Sequence, residues 1–266
     1  MIPINSIYCG DCLSLMSKID DNVIDMILCD LPYGITECNW DSVVPLELLW
    51  GQYKRILKPI GVIVLTASQP FTSVLVMSNL DWFRHEWIWI KNRGSNFANT
   101  VREPMKEHES ILVFSQGSWT YNKQMQDRAE SGLERSRYLV EHNNQHREGT
   151  RQFEGREHHV ISQKRVPSSW QKINIEVGLH PTQKPVALFE YLIKTYSNEH
   201  DIILDNCIGS GTTAIAAIKT NRNFIGIDIS EEYCELSKNR INNLLSQQIL
   251  DFGNNINYKK LSELQK

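Results

Sequence analysis

A chain of 266 residues, 41% hydrophobic and 22% charged, holds enough apolar material for one large core or for a core carrying an insertion. Its formal net charge of -3 excludes a protein that coats nucleic acid indiscriminately. No apolar stretch approaches the ~20 residues that span a bilayer, and the opening Met1 to Ser6 has neither the basic region nor the apolar run of a signal peptide, so the expectation is a cytoplasmic protein.

In chain order, the apolar pattern predicts a strand over Ile24 to Cys29, a helix over Pro45 to Leu57, a strand over Gly61 to Ala67 and a helix over Pro70 to Leu80. Strands over Phe83 to Ile90 and Ser110 to Phe114 follow. From Gly117 to Gly178 the pattern stops, and Arg, His, Gln, Asn and Glu dominate. That stretch is too long for an ordinary connection, which makes it a functional insertion or a partly disordered segment. The pattern resumes with a helix from Pro185 to about Tyr196, a strand over Ile202 to Asp205 and a helix over Thr212 to Thr220. A strand over Phe224 to Asp228 and a helix over Glu231 to Leu245 complete it. Strands alternating with helices predict an α/β fold with a parallel sheet covered on both faces. After about Leu250 the chain is polar and is expected to fray.

Two strand ends carry the chemistry. In an open parallel sheet, ligands lie beyond the carboxyl ends of the strands, where glycines let the backbone approach closely. Gly209-Ser-Gly211, after Asp205, meets that need. The next strand ends in Asp228, about 20 residues on, where a carboxylate accepts hydrogen bonds from ribose hydroxyls. Taken alone, this glycine turn is weak, since the full G-x-G-x-x-G is absent and Ala214 stands at its third position.

The other end, Asp30-Leu31-Pro32-Tyr33, is more specific. An amino group on a heteroaromatic ring is a poor nucleophile because its lone pair is delocalised. Acceptors for both of its hydrogens rehybridise the nitrogen and aim the lone pair at an electrophile. Asp30 supplies one acceptor and the Leu31 carbonyl the other, and Pro32 restricts where that carbonyl points. Tyr33 offers a face for a base rotated out of a duplex. The competing structural reading is a strand-ending turn in which Asp caps, Pro stiffens and Tyr packs.

The remaining candidates carry less. Cys9, Cys12, Cys29, Cys38, Cys207 and Cys234 are scattered and read as reduced thiols, and Cys9-Gly-Asp-Cys12 lacks the second pair that zinc would need. His142 and His146 have helical metal-ligand spacing, with His158 and His159 nearby, yet so polar a stretch favours solvated or phosphate-facing histidines, so no metal is expected. Trp82, Trp87 and Trp89 could form a platform for nucleic acid, with core packing the better reading for at least one. Charge is uneven: Gly117 to Gly178 carries ten Lys or Arg against eight Asp or Glu, a formal +2 that leaves -5 for the rest. From Lys91 to Lys106, the basic residues Lys91, Arg93, Arg102 and Lys106 face only Glu103 and are candidate phosphate contacts.

The sequence resembles the β-class of DNA amino-methyltransferases, which use S-adenosyl-L-methionine. Their catalytic Asp-Pro-Pro-Tyr corresponds to Asp30-Leu31-Pro32-Tyr33, and their cofactor motif to Cys207-Ile-Gly-Ser-Gly-Thr212. In the class the catalytic motif precedes the recognition region and the cofactor motif follows it, as here. His180-Pro-Thr-Gln-Lys-Pro185 resembles the cofactor-contacting segment, Phe224 to Tyr233 the ribose-binding strand and following helix, and Gly10-Asp11 the segment whose acid contacts the cofactor's adenine. Arg55 to Gly61 fits the helix-to-strand turn after the catalytic motif. The resemblance covers roughly residues 5 to 115 and 179 to 245. It departs at Leu31, in place of the first proline, and at Asn206-Cys207, in place of proline and aromatic residues.

The resemblance implies a Rossmann-like, doubly wound, mostly parallel sheet of the class I methyltransferase type in circularly permuted order. Residues 1-116 would form the catalytic part, 117-178 a target-recognition insertion, 179-250 the cofactor part and 251-266 a flexible tail. It implies a cofactor site of Asp11, Asp30, Thr182, Gln183, Lys184, Asp205, Cys207, Gly209, Ser210, Gly211, Thr212, Thr213 and Asp228. Double-stranded DNA would meet Lys91, Arg93, Arg102, Arg147, Arg151, Arg156, Lys164 and Arg165, with a homodimer as one possible assembly. The expected reaction is methylation of the exocyclic amino group of a flipped adenine, which Asp at position 30 favours over cytosine. Two alternatives are a cytosine amino-methyltransferase using the same site and a DNA-binding relative without catalysis. Release-factor and RNA methyltransferases are opposed by the motif order.

Overall fold

The computed structural model describes residues 2–34, 44–134, 163–176 and 183–263, with side chains of the last helix described as far as residue 247. Two compact units result, Met1–Asn122 with Ser169–Lys266, and Lys123–Ser168. The larger contains β1 (Ser6–Cys9), α1 (Cys12–Met16), β2 (Ile24–Cys29), α2 (Leu46–Ile56), β3 (Leu57–Ala67), α3 (Phe71–Met77), β4 (Phe83–Ser95) and β5 (Lys106–Phe114). After the smaller unit, which holds β6 (Gln126–Asp127) and β7 (Lys164–Arg165), come β8 (Trp170–Lys172), α4 (Val186–Tyr196), β9 (Ile202–Asp205), α5 (Thr212–Lys219), β10 (Asn223–Asp228) and α6 (Glu231–Glu263).

Eight strands among the described residues form one sheet in the order β1-β10-β9-β2-β3-β5-β4-β8. It is the doubly wound, mostly parallel α/β sheet expected from the sequence; β5 alone runs antiparallel to its neighbours, β3 and β4. The two faces are legible in β2, whose residues are nearly all apolar, as burial on both sides requires. Met26 and Leu28 pack with α4 and α5 on one face, while Ile27 and Cys29 pack with α2 and α3 on the other. The alternation is the period-two geometry of a strand.

Strand order places the site. The chain leaves β9 for β10 on one side and β2 for β3 on the other, so β9 and β2 are neighbours at the point where the winding reverses. Their carboxyl ends diverge into helices on opposite faces and leave a crevice between them. Asp30 and Asp205 stand at its two lips.

Several bounds differ from the expectation. β4 runs to Ser95 because Lys91 to Ser95 continue as one arm of a hairpin with β5, closed by the Ser95↔Lys106 pair. The polar stretch expected from Gly117 to Gly178 belongs partly to the large unit. Trp119 packs 6.1 Å from His85, the Asn122 N–H donates to the Thr195 carbonyl at 2.7 Å, and β8 pairs with β4. In the small unit, β6 and β7 pair antiparallel, with Lys164 bonded to Asp127 at 2.6 Å. No helix among the described residues is long and apolar enough to cross a membrane.

Candidate active site

Asp30 follows β2 directly, and both oxygens of its carboxylate have partners. One oxygen accepts from the Tyr33 hydroxyl at 2.8 Å and from the Thr66 hydroxyl at the end of β3. The other accepts from the Lys184 ammonium at 2.6 Å. The Tyr33 ring stacks on Phe71, centroids 5.3 Å apart. Burial, then the carboxylates of Asp30 and Glu109, push the Tyr33 phenol well up, so it stays neutral and donates. The Leu31 side chain is buried in the apolar cluster beneath, which holds the loop down at the position where the related motif has proline.

Lys184 is buried between two acids. Besides Asp30 it meets Glu109 of β5 at 3.4 Å, and Glu109 in turn pairs with Lys91 of β4. Burial alone would lower the Lys184 pKa; the two carboxylates outweigh it and raise it, so the ammonium persists. The four charges alternate and sum to zero, which is how a protein holds ions out of water.

Across the crevice, the turn after β9 is built from backbone. Gly209 and Gly211 have φ of +51° and +82°. A Cβ on Gly211 would lie 3.0 to 3.2 Å from Ser237 of α6, whose hydroxyl donates to the Gly209 carbonyl at 2.6 Å. Asp228, at the end of β10, accepts the Gly209 N–H at 2.8 Å and the Ser230 N–H at 3.0 Å. Asp205 accepts from the Cys207 N–H at 3.0 Å and from the Thr213 hydroxyl. Burial nevertheless wins over these bonds and pushes its carboxyl up to about 7. Asp11 caps α1 by accepting the Ser14 N–H at 2.8 Å, and the Ser14 hydroxyl, followed by that N–H, lowers its pKa. The Gly10 N–H donates to the Asp228 carbonyl, joining β1's end to β10's.

These groups open on one cavity of about 960 Å³. It unites Asp30 to Tyr33 with Asp11, Gln183 and Lys184 and with Asp205, Cys207, Gly209, Ser210, Thr212, Thr213 and Asp228. Gly211 supports this wall as the residue preceding α5. Thr182 lies outside the described residues, as do Arg147, Arg151, Arg156 and the four histidines considered for metal. Of the expected DNA contacts, Arg93, Arg102, Lys164 and Arg165 are exposed. Lys91 differs: it is ion-paired to Glu109, lies over Trp89 at 5.1 Å and lines the cavity. Trp87 and Trp89 are buried in the core, which removes them as an open stacking platform.

The sequence reading missed Thr66, Glu109 and the Asn206–Tyr53 pair, in which the buried Tyr53 hydroxyl donates to the Asn206 side chain. One signal was present for Glu109, an acid two residues ahead of the apolar run Ile111 to Phe114. Tyr53 is different, because its 3.6-residue spacing marks only a core helix.

Comparison with known proteins is consistent across most of the chain. A family model described as DNA methylase matches residues 24–239. The Type II methyltransferase M.HpaI of Haemophilus parainfluenzae is 29% identical over 250 residues, 88% of this chain and 73% of that protein. The DNA adenine methyltransferase YhdJ of Escherichia coli (strain K12) is 28% identical over 252 residues, 87% and 81% of the two chains. The crystal structure of the M1.HpyAVI-SAM complex shares the fold, with a TM-score of 0.59 at 24% identity over 88% of this chain and 98% of that one. The strand order, the paired strand ends and the matched family model together place this chain in the DNA methylase family.

Proposed function

We propose that this DNA methylase transfers a methyl group from S-adenosyl-L-methionine to the exocyclic amino group of an adenine flipped out of double-stranded DNA. The observation that carries the reading is one cavity with Asp30 and Tyr33 on one lip and the Gly209 to Gly211 turn with Asp228 on the other.

The residues present suit the cofactor. Gln183 Oε1 is buried on the cavity wall without a hydrogen-bond partner among the described residues, and the Asp228 oxygens accept one backbone N–H each, which leaves lone pairs for ribose hydroxyls. Glycine backbone lets a ligand lie close to the chain, and the acids lining the crevice suit a cationic sulfonium. When bound, the cofactor supplies an electrophilic methyl group.

The chain's part is positioning and electrostatics. Asp30 and the Leu31 carbonyl accept the two amino hydrogens, while Tyr33, backed by Phe71, stacks on the base. Forming the N–C bond would break the cofactor's S–methyl bond and release S-adenosylhomocysteine; the Asp30 carboxylate would stabilise the positive charge that develops on the amino nitrogen until that nitrogen loses a proton to solvent. Asp30 and the resemblance to a relative named as a DNA adenine methyltransferase support adenine over cytosine. Phosphates would be held by Arg93, Arg102 and Lys106, and flanking base pairs read from the 117-178 stretch through Arg147, Arg151, Arg156, Lys164 and Arg165. A DNA substrate supports the reading of a cytoplasmic protein. A homodimer is supported by an apolar stripe, Val74, Met77 and Leu80, each more than half exposed.

The deciding experiment incubates plasmid DNA with enzyme and cofactor, maps modified bases by sequencing and hydrolyses the product to nucleosides. N6-methyladenine at one short motif is the expected result, lost in Asp30→Ala with affinity for S-adenosylhomocysteine retained. N4-methylcytosine would move the substrate assignment, and no methylation at all would return the chain to a DNA-binding role.

A further inference from the structure

The hairpin between β4 and β5 leaves two large apolar side chains exposed. Phe97 is 79% and Val101 92% exposed. Yet the turn that carries them is firmly built. Asn96 adopts left-handed backbone, and Phe97–Asn99 form a short 3-10 helix. The Arg102 and Glu103 N–H groups donate to the Asn99 carbonyl at 2.9 and 3.1 Å, and the Thr100 hydroxyl donates to the Phe97 carbonyl at 2.8 Å. The Asn96 amide donates to the Glu103 carboxylate. These bonds project Phe97 and Val101 outward at a cost in exposed apolar surface, the kind of patch that marks an interaction site.

Its place and its charge identify the partner. The foot of the hairpin forms part of the catalytic cavity wall, with Arg93 to Asn96 on one arm and Lys106 on the other. Arg93, Arg102 and Lys106 are exposed around the tip. An apolar tip ringed by cations, one residue from a cavity that receives a base, matches a duplex whose base stack has been opened. There, apolar wedges enter between base steps while neighbouring cations hold phosphates.

We propose that Phe97 enters the DNA stack beside the flipped base, with Val101 as its apolar shoulder, and so holds the duplex open during methylation. The inference rests on the reading that the cavity receives a flipped base. An aromatic ring is suited to the task because it stacks on whichever base lies next to it.

The test compares two duplexes carrying the methylated motif. One is fully paired, and in the other the target base lies opposite an abasic site, unpaired and cheaper to flip. Unstacking a base costs a few kcal/mol, so Phe97→Ala should lose roughly ten- to a hundredfold in methylation rate on the paired duplex. On the abasic duplex it should stay within about threefold of the wild type, since the wedge has little work left there. Phe97→Trp should retain activity on both, and 2-aminopurine at the target position should brighten less with Phe97→Ala than with wild type. Equal losses on the two duplexes, or no loss on the paired one, would overturn the wedge; a changed oligomeric state alongside equal losses would assign the tip to a contact between copies of the chain. If the wild-type enzyme methylated neither duplex, the reading of the cavity itself would fall, and the wedge with it.

Discussion

The Asp30 carboxylate is shared among Tyr33, Thr66 and Lys184, so the negative charge it presents to a substrate depends on how far Lys184 is neutralised elsewhere. Glu109 does that neutralising. At 3.4 Å it acts on Lys184 mainly as a charge. Glu109→Gln should therefore leave Lys184 wholly to Asp30 and slow turnover by roughly ten- to a hundredfold, the scale of one charged hydrogen bond. Cofactor affinity should hardly move. Adding Lys184→Met to Glu109→Gln should restore part of the rate by freeing Asp30, whereas strictly additive losses would reduce Glu109 to a packing residue. Asp205 gives a pH test. Its folded pKa, about 7, lies above the ordinary 3.8, so its contribution to stability is fully present below about pH 4 and is lost as pH rises through 7. Asp205→Asn, which stays neutral, should gain on the wild type as pH rises from about 4 to 7, by up to about 4 kcal/mol. Parallel unfolding midpoints across that range would show that Asp205 is not held protonated.

At the level of elements, the glycine turn and α6 form one unit. Gly211 has left-handed backbone, and Ser237 of α6 closes over it while holding the Gly209 carbonyl. Gly211→Ala adds about 1 to 2 kcal/mol of backbone strain and drives a Cβ against the Cα as well as the side chain of Ser237. The turn must shift, and S-adenosylhomocysteine should bind at least about tenfold more weakly by calorimetric titration, with the β2 side of the cavity intact. Undiminished affinity would mean that the ligand does not depend on this backbone. The motif and its turn were legible in the sequence because a glycine pair after a strand has few other uses. Ser237 was not, since a serine on an amphipathic helix carries no sign of what packs above it.

The division into two units makes a prediction for the whole chain. Lys123–Ser168 is compact by itself, and its flanks are anchored near one another on the large unit. Tyr121 packs 6.0 Å from Tyr196, whose hydroxyl meets His85 on β4 at 2.7 Å, and Ser169 accepts the Ile88 N–H of the same strand at 2.9 Å. His85 and Ile88 are separated by about 10 Å at strand rise. A flexible linker of about ten residues spans that gap. Replacing Lys123–Ser168 by it should leave a folded protein that binds S-adenosylhomocysteine and no longer selects a methylation motif. Motif selection that survived the replacement would move base reading to the β4–β5 hairpin.

Much of this protein was determined by its sequence alone. The alternation of apolar runs specified a sheet wound on both faces, because β2 and β9 are too continuously apolar to face water on either side. Asp30 to Tyr33, Gly209 to Gly211 and Asp228 announced themselves because their chemistry needs those residue types at strand ends. What only the tertiary structure decided was who meets whom. Lys184 lies 154 residues from Asp30, and Glu109 comes from an antiparallel strand whose place beside β3 no local pattern states. Lys91 looked like a surface cation because sequence registers its charge but not the carboxylate across the hairpin that claims it. Phe97 and Val101 carry no mark of their own in the sequence, and only the fold leaves them exposed beside the cavity. Local periodicity encodes which face of an element is buried, whereas long-range pairing, which sets the charge balance and the exposed tip, exists only once the strands have been ordered.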